Sequence, residues 1–149
     1  MAAARPSEIS IDGACRGNPG PAGIGIAFLN PDGTAAQQYC QYIGETTNNV
    51  AEYLAFIGAL QTALQLGLAN ILVRTDSQLL ARQINGQYRV RHPRIVELYA
   101  AAKTLMSSFQ SVTVKHVPRE QNRIADKLAN RAVDMRPSAL VEVPRLASN

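Results

Sequence analysis

Four acidic side chains are spaced so that a folded chain could bring them together: Asp12, Glu52, Asp76 and Asp126. Asp12 closes the run Ile9-Ser10-Ile11-Asp12, whose apolar and polar residues alternate as in a strand with one face in a core. Gly13 follows, and then Gly17-Asn18-Pro19-Gly20, turn-forming residues that leave the carboxylate at a strand end and let the backbone pass close to a ligand. An aspartate capping its own turn would look the same over this stretch alone. Asp76 comes after the apolar Ile71-Leu72-Val73, a second strand-end position, and Glu52 and Asp126 each fall in the first turn of a predicted helix. Ligands of mixed sheets bind outside the carboxyl ends of neighbouring strands, so Asp12 and Asp76 converge if their strands are adjacent and parallel.

Such convergence has a chemical meaning. Carboxylates a few ångströms apart repel and do not all stay ionised without cations between them. Oxygen donors with no cysteine or histidine cluster suit Mg²⁺ or Mn²⁺ better than zinc. Two such ions, about 3.5–4 Å apart, clamp the attacking and leaving oxygens of a phosphodiester displacement.

The elements that must position these groups follow from pattern and punctuation. Strands are predicted at residues 23–29 and 35–43 around the turn Asn30-Pro31-Asp32-Gly33, a hairpin that with the first strand makes an antiparallel meander. Thr46-Thr47-Asn48-Asn49 supplies N-cap chemistry for a helix over residues 50–66 with Val50, Leu54, Ile57, Leu60 and Leu64 on its apolar face. A strand at 70–75 leads into a helix closed by Gly86. A longer helix after Pro93 carries Ile95, Leu98, Tyr99, Ala102, Leu105, Met106 and Phe109 at core spacing. Val112, Val114 and Val117 form a last strand, and residues 123–133 a last helix. The sum is an α/β fold, a five-stranded mixed sheet flanked by helices. Residues 1–133 read as one domain and residues 134–149 as a tail that can dock through Leu140, Val141, Val143 and Leu146.

Composition bounds the function classes. A chain of 149 residues, 46% hydrophobic and 17% charged, has the apolar content for one ordinary globular core. No apolar run reaches bilayer-spanning length, and Cys15 and Cys40 make no disulfide framework or CxxC pair, so a cytoplasmic protein with no membrane partner is expected. Charge is uneven: residues 1–70 hold two basic and five acidic side chains, residues 71–149 thirteen and six. Arg82, Arg89, Arg91 and Arg94 crowd one stretch, and Lys115, Arg119, Arg123, Lys127 and Arg131 another, as on a surface that tracks phosphates. A solvated helix face is the alternative.

Four blocks carry a resemblance: Asp12-Gly13-Ala14-Cys15-Arg16-Gly17-Asn18-Pro19-Gly20-Pro21, Thr46-Thr47-Asn48-Asn49-Val50-Ala51-Glu52, Thr75-Asp76-Ser77-Gln78, and Asn122-Arg123-Ile124-Ala125-Asp126-Lys127-Leu128-Ala129. In this order, over residues 8–133, they resemble the ribonuclease H type 1 family. The resemblance implies a ribonuclease H-like fold, a monomer, and endonucleolytic hydrolysis of the RNA strand of RNA–DNA hybrids with two divalent ions, leaving 5′-phosphate and 3′-hydroxyl ends. It makes Asp12 the ligand shared by both ions, with Glu52 and Asp76 completing one site and Asp126 the other. His116 matches the family's mobile histidine that assists proton transfer. Asn18, Asn49 and Gln78 match minor-groove contacts, where the 2′-hydroxyl distinguishes RNA from DNA, and Thr47 and Asn48 suit a DNA phosphate near a helix N-terminus. After Gly86 the chain departs from the best-known bacterial members: their long lysine-rich handle is reduced to residues 87–92, with Tyr88, Arg89 and Arg91 as partial substitutes. The rivals are a catalytically silent binding module, which would gain nothing from four clustered carboxylates, and an exonuclease or recombinase of similar architecture.

Overall fold

The computed structural model describes residues 5–144. Its elements are β1 (Ser7–Cys15), β2 (Gly20–Leu29), β3 (Ala35–Thr46), α1 (Asn48–Gln65), β4 (Asn70–Thr75), α2 (Gln78–Ile84), α3 (Pro93–Met106), β5 (Ser111–His116), a 3₁₀ turn at Arg119–Gln121, α4 (Arg123–Met135) and β6 (Val141–Glu142). The sheet order is β5-β4-β1-β2-β3-β6. β1, β4 and β5 run parallel, and β2, β3 and β6 add antiparallel partners. Five strands match the expected sheet, and the sixth is the tail. Val141 pairs with Cys40 and Glu142 with Tyr39. The Tyr42 amide donates to Pro137 O at 2.9 Å and the Val143 amide to Gln38 O at 2.7 Å, so the chain beyond α4 lies along β3. Leu146, named above as a docking residue, falls outside the described residues.

Helices cover both faces of the sheet. On one, Ile9, Ile11, Ile24, Ile26 and Val73 pack with Phe56, Leu60, Leu80 and Leu98 of the first three helices. Each fully buried side chain of this size contributes roughly 1.5–3 kcal/mol. The buried set of α1 differs from the expected stripe. Ala51, Tyr53, Ala55, Phe56, Ala59 and Ala63 are buried along with Val50 and Leu60, whereas Leu54, Ile57 and Leu64 are only partly covered. α1 touches both the sheet and α3, so its small alanines mark close approach while Leu54, Ile57 and Leu64 fill the margin.

On the opposite face Ala27, Cys40, Leu128, Ala132 and Val143 form a smaller cluster under α4. That helix lies almost on the β2 backbone. A Cβ on Gly25 would meet Ala125 O at 2.4 Å, and one on Gly23 would meet Ala129 O at 2.5 Å. Only glycine permits this approach, and the approach brings the start of α4, with Asp126, down to the sheet. α4 runs two residues past its expected end, to Met135.

Candidate active site

β1 is longer than its punctuation predicts, and its two edges end at different places. Antiparallel pairing with β2 continues to Cys15 opposite Ala22, but parallel pairing with β4 stops at Ile11 opposite Thr75. Asp12 and Asp76 are therefore each the first residue past the end of the parallel ladder, side by side. Glu52 reaches them from α1 because Gly13 lets that helix come close: a Cβ at residue 13 would lie 2.5 Å from the backbone carbon of Ala51 and 2.7 Å from Glu52 N. The Gly13 amide donates to Glu52 Oε1 at 2.8 Å.

Carboxylate oxygens of Asp12, Glu52 and Asp76 all lie within 4.8 Å of one another. Asp12 is 5% exposed and Glu52 7%, while Asp76 and Asp126 are half-buried. Burial, and then repulsion from Glu52, push the Asp12 carboxyl well above the usual carboxylate range. Burial raises Glu52 as well, against hydrogen bonds with Asp12 and the Gly13 amide that pull it down. Glu52 Oε2 is buried with no hydrogen-bond partner. An orphaned carboxylate oxygen among oxygen-only donors fits a hard divalent cation, so the residues present suit the metal that the sequence implies.

These three carboxylates and Asp126 line one open cavity of about 490 Å³, together with Gly13, Ala14, Cys15, Asn48, Arg119 and Asn130. Asp126 stands apart from the tight triad, and its Oδ1 accepts from Asn130 Nδ2 at 3.2 Å. Of the residues expected to touch substrate, Asn48 lines the cavity; Asn18, Asn49, Gln78, Arg89 and Arg91 are exposed outside its lining, and Thr47 caps α1. The Asn48 amide donates to Asn18 Oδ1 at 3.0 Å, tying the glycine-rich loop to the N-terminus of α1. His116 is exposed at the end of β5, opposite Thr75 and outside the cavity lining. Arg119 occupies the cavity in its stead, a residue that sequence reasoning had placed only in a general basic surface. Asn130 was not singled out at all; its signal was its place one helical turn after Asp126. A larger recess of about 710 Å³ between α4 and the tail shares only Asp126 and Asn130 with this cavity and holds no cluster of acids.

A profile of the family described as reverse transcriptase-like matches residues 10–132. Among solved structures, the RNase H1 of the halophilic archaeon Halobacterium salinarum superposes with a TM-score of 0.83 at 39% identity, covering 88% of this chain and 99% of that one. The chain belongs to the ribonuclease H family. A second ribonuclease H, LC11-RNase H1 from compost, was solved in complex with an RNA/DNA hybrid; it is 41% identical with a TM-score of 0.82, over 87% of this chain and 97% of its own. A bifunctional protein of Mycobacterium tuberculosis is 43% identical over 127 residues, 85% of this chain. The chain spans about a third, 35%, of that relative's length. Within the ribonuclease H family, then, this chain presents a close triad of acids, two of them buried and Asp76 half-buried, with a fourth acid on α4 and an arginine at the rim. Among the described residues no helix is long and apolar enough to cross a membrane.

Proposed function

We propose that this ribonuclease H-family chain hydrolyses the RNA strand of RNA–DNA hybrids endonucleolytically, leaving 5′-phosphate and 3′-hydroxyl ends. The observation that carries the proposal is the Asp12–Glu52–Asp76 triad, which lies within 4.8 Å in an open, acid-lined cavity. The hybrid seen with LC11-RNase H1 supports the substrate.

Asp12, Glu52 and Asp76 would hold one Mg²⁺ or Mn²⁺ ion, and Asp12 with Asp126 a second. Bound there, divalent ions would activate the attacking water and neutralise charge gathering on the phosphate. The water oxygen bonds to phosphorus, the P–O3′ bond breaks, and the 3′ oxygen leaves with a proton. The protein's own residues orient this displacement. The Gly13 amide fixes Glu52, Asn130 fixes Asp126, and the Arg119 guanidinium offers positive charge at the cavity rim. Asn48 stands at the α1 N-terminus, where the positive end of the helix dipole favours an anion. Asn18, Thr47, Asn49 and Gln78 remain candidate groove and phosphate contacts, and Arg89 and Arg91 contacts on the shortened handle. For His116 the proposal keeps proton transfer from outside the cavity lining, one strand over from Asp76. A cytoplasmic monomer is part of the same reading; the two free cysteines suit a reducing compartment.

Labelled RNA–DNA hybrid, double-stranded RNA and single-stranded RNA assayed side by side with Mg²⁺ and with Mn²⁺ test the proposal. Cutting confined to RNA within the hybrid supports it. Hybrid left intact with either ion rejects it.

A further inference from the structure

Asn122 belongs to the last sequence block, yet nothing above gives it a task. It is 1% exposed, one of the most buried polar residues in the protein. It stands where α4 begins, but its side chain does not cap that helix. Instead Nδ2 donates to Ile11 O at 2.8 Å and lies 3.4 Å from Asp76 Oδ2. Its backbone oxygen accepts the Asp126 amide at 3.1 Å. One residue therefore touches the three segments that deliver Asp12, Asp76 and Asp126.

The amide's orientation follows from its partners. Ile11 O and Asp76 Oδ2 are both acceptors, so the NH₂ group must face them. That choice leaves Asn122 Oδ1 buried with no hydrogen-bond partner. An apolar residue of similar volume would avoid the desolvation of that oxygen. Packing alone does not account for an asparagine here.

Resting on the ribonuclease H reading, we propose that Asn122 is a positioning residue: its amide holds the Asp76 carboxylate and the end of β1 in the arrangement that accepts the cation, while its main chain sets α4 and Asp126 against them. Partners of metal ligands typically alter metal affinity or activity by 10–100-fold when removed. Asn122 does so here without touching substrate.

The test uses Asn122→Leu, which fills the site and removes the orphaned oxygen, and Asn122→Asp, which keeps the shape and replaces the donor with an acceptor. Calorimetric titration with Mn²⁺, hybrid affinity in EDTA, thermal melts and steady-state cleavage are measured for both variants and the wild type. The expected result is Mn²⁺ affinity and kcat lowered about tenfold or more in both, with hybrid affinity in EDTA and KM within about twofold; the Leu variant, which leaves the buried Ile11 O without its donor, melts lower than wild type but still in one cooperative transition. Wild-type Mn²⁺ affinity and kcat in either variant that melts in one cooperative transition overturn the proposal, as does a loss of hybrid affinity matching the loss of kcat. If the Leu variant does not melt cooperatively, the Asp variant decides on the same readouts. A wild type that binds Mn²⁺ but never cuts hybrid counts against the ribonuclease H reading and leaves the Mn²⁺ comparison to judge Asn122.

Discussion

The Gly13 amide donates to Glu52 Oε1 at 2.8 Å, so the residue following the strand carboxylate fixes the helix carboxylate beside it. The contact exists because β1 and α1 nearly touch there. Replacing Gly13 with alanine puts a methyl 2.5 Å from the Ala51 backbone and must push the helix away. Overpacking of this kind typically costs about 1–3 kcal/mol, and urea unfolding of Gly13→Ala should show that loss along with loss of cleavage. Gly58→Ala is the contrast. Its methyl would meet only the flexible ends of Ile26 and Ile24, at 3.0 and 3.4 Å, and its stability should stay within about 1 kcal/mol of wild type, the span of the glycine-to-alanine helix preference.

Metal-free stability should fall as pH rises. Unfolded, Asp12 and Glu52 ionise near 3.8 and 4.5; folded, burial raises them to about 10 and about 7. Between those limits the folded state holds protons that the unfolded chain has released, so raising the pH favours unfolding. Their contribution is fully present below about pH 3.8 and is lost through pH 7 toward 10. In EDTA, Asp12→Asn should melt higher than wild type at neutral pH and with a flatter pH dependence. Mg²⁺ should raise the wild-type melting temperature more than the variant's, because binding to the folded state stabilises it. A variant that melts lower in EDTA and gains as much from Mg²⁺ would show that the carboxylates do not repel.

Arg89 and Arg91 stand exposed between α2 and α3, away from the acid cavity. If they meet phosphates, replacing either with alanine should weaken hybrid binding equally across sequences and lower the salt slope by about one per contact. Weakened binding with an unchanged slope would assign them a packing role.

Arg119 lines the acid cavity and His116 stands exposed outside it, so their variants test charge and proton transfer separately. Arg119→Ala should lower kcat, since it removes a positive charge from the cavity that would take the phosphate. His116→Ala should lower kcat about 10²-fold or more if a proton passes through it, and added imidazole should restore part of the rate. Wild-type kcat in His116→Ala would remove histidine from the mechanism.

What could be read from the chain, and what could not, follows from the range of the interactions. Asp12 and Asp76 were visible because an apolar run ends at each, a local pattern. Their adjacency needed the parallel register of Ile11 with Thr75, which links residues 64 apart and leaves no local trace. The continuation of β1 to Cys15 was hidden for the same reason: β2 supplies the pairing, while the glycines advertise a turn. In α1, helical spacing pointed to Val50 and Leu60 correctly but missed Tyr53, Phe56 and the alanines, because contact with both a sheet and α3 widens the buried face beyond one stripe. A strand of two residues, β6, spans a single period and shows no alternation to read. His116 stands ten residues before Asp126, a spacing that fixes where a residue lies along the chain but not which side of β5 it faces. Arg119, in the 3₁₀ turn after that strand, reaches the cavity.

The most direct measurement of the central claim is cleavage of a hybrid with both strands labelled, in Mg²⁺, by wild type and by Asp12→Asn. The account predicts internal cuts in the RNA strand only, fragments bearing 5′-phosphates, and a loss of turnover of about 10³-fold or more in the variant, roughly the 4 kcal/mol expected of a shared metal ligand, with hybrid still bound. Equal cutting of the DNA strand, or near wild-type turnover by Asp12→Asn, would contradict it.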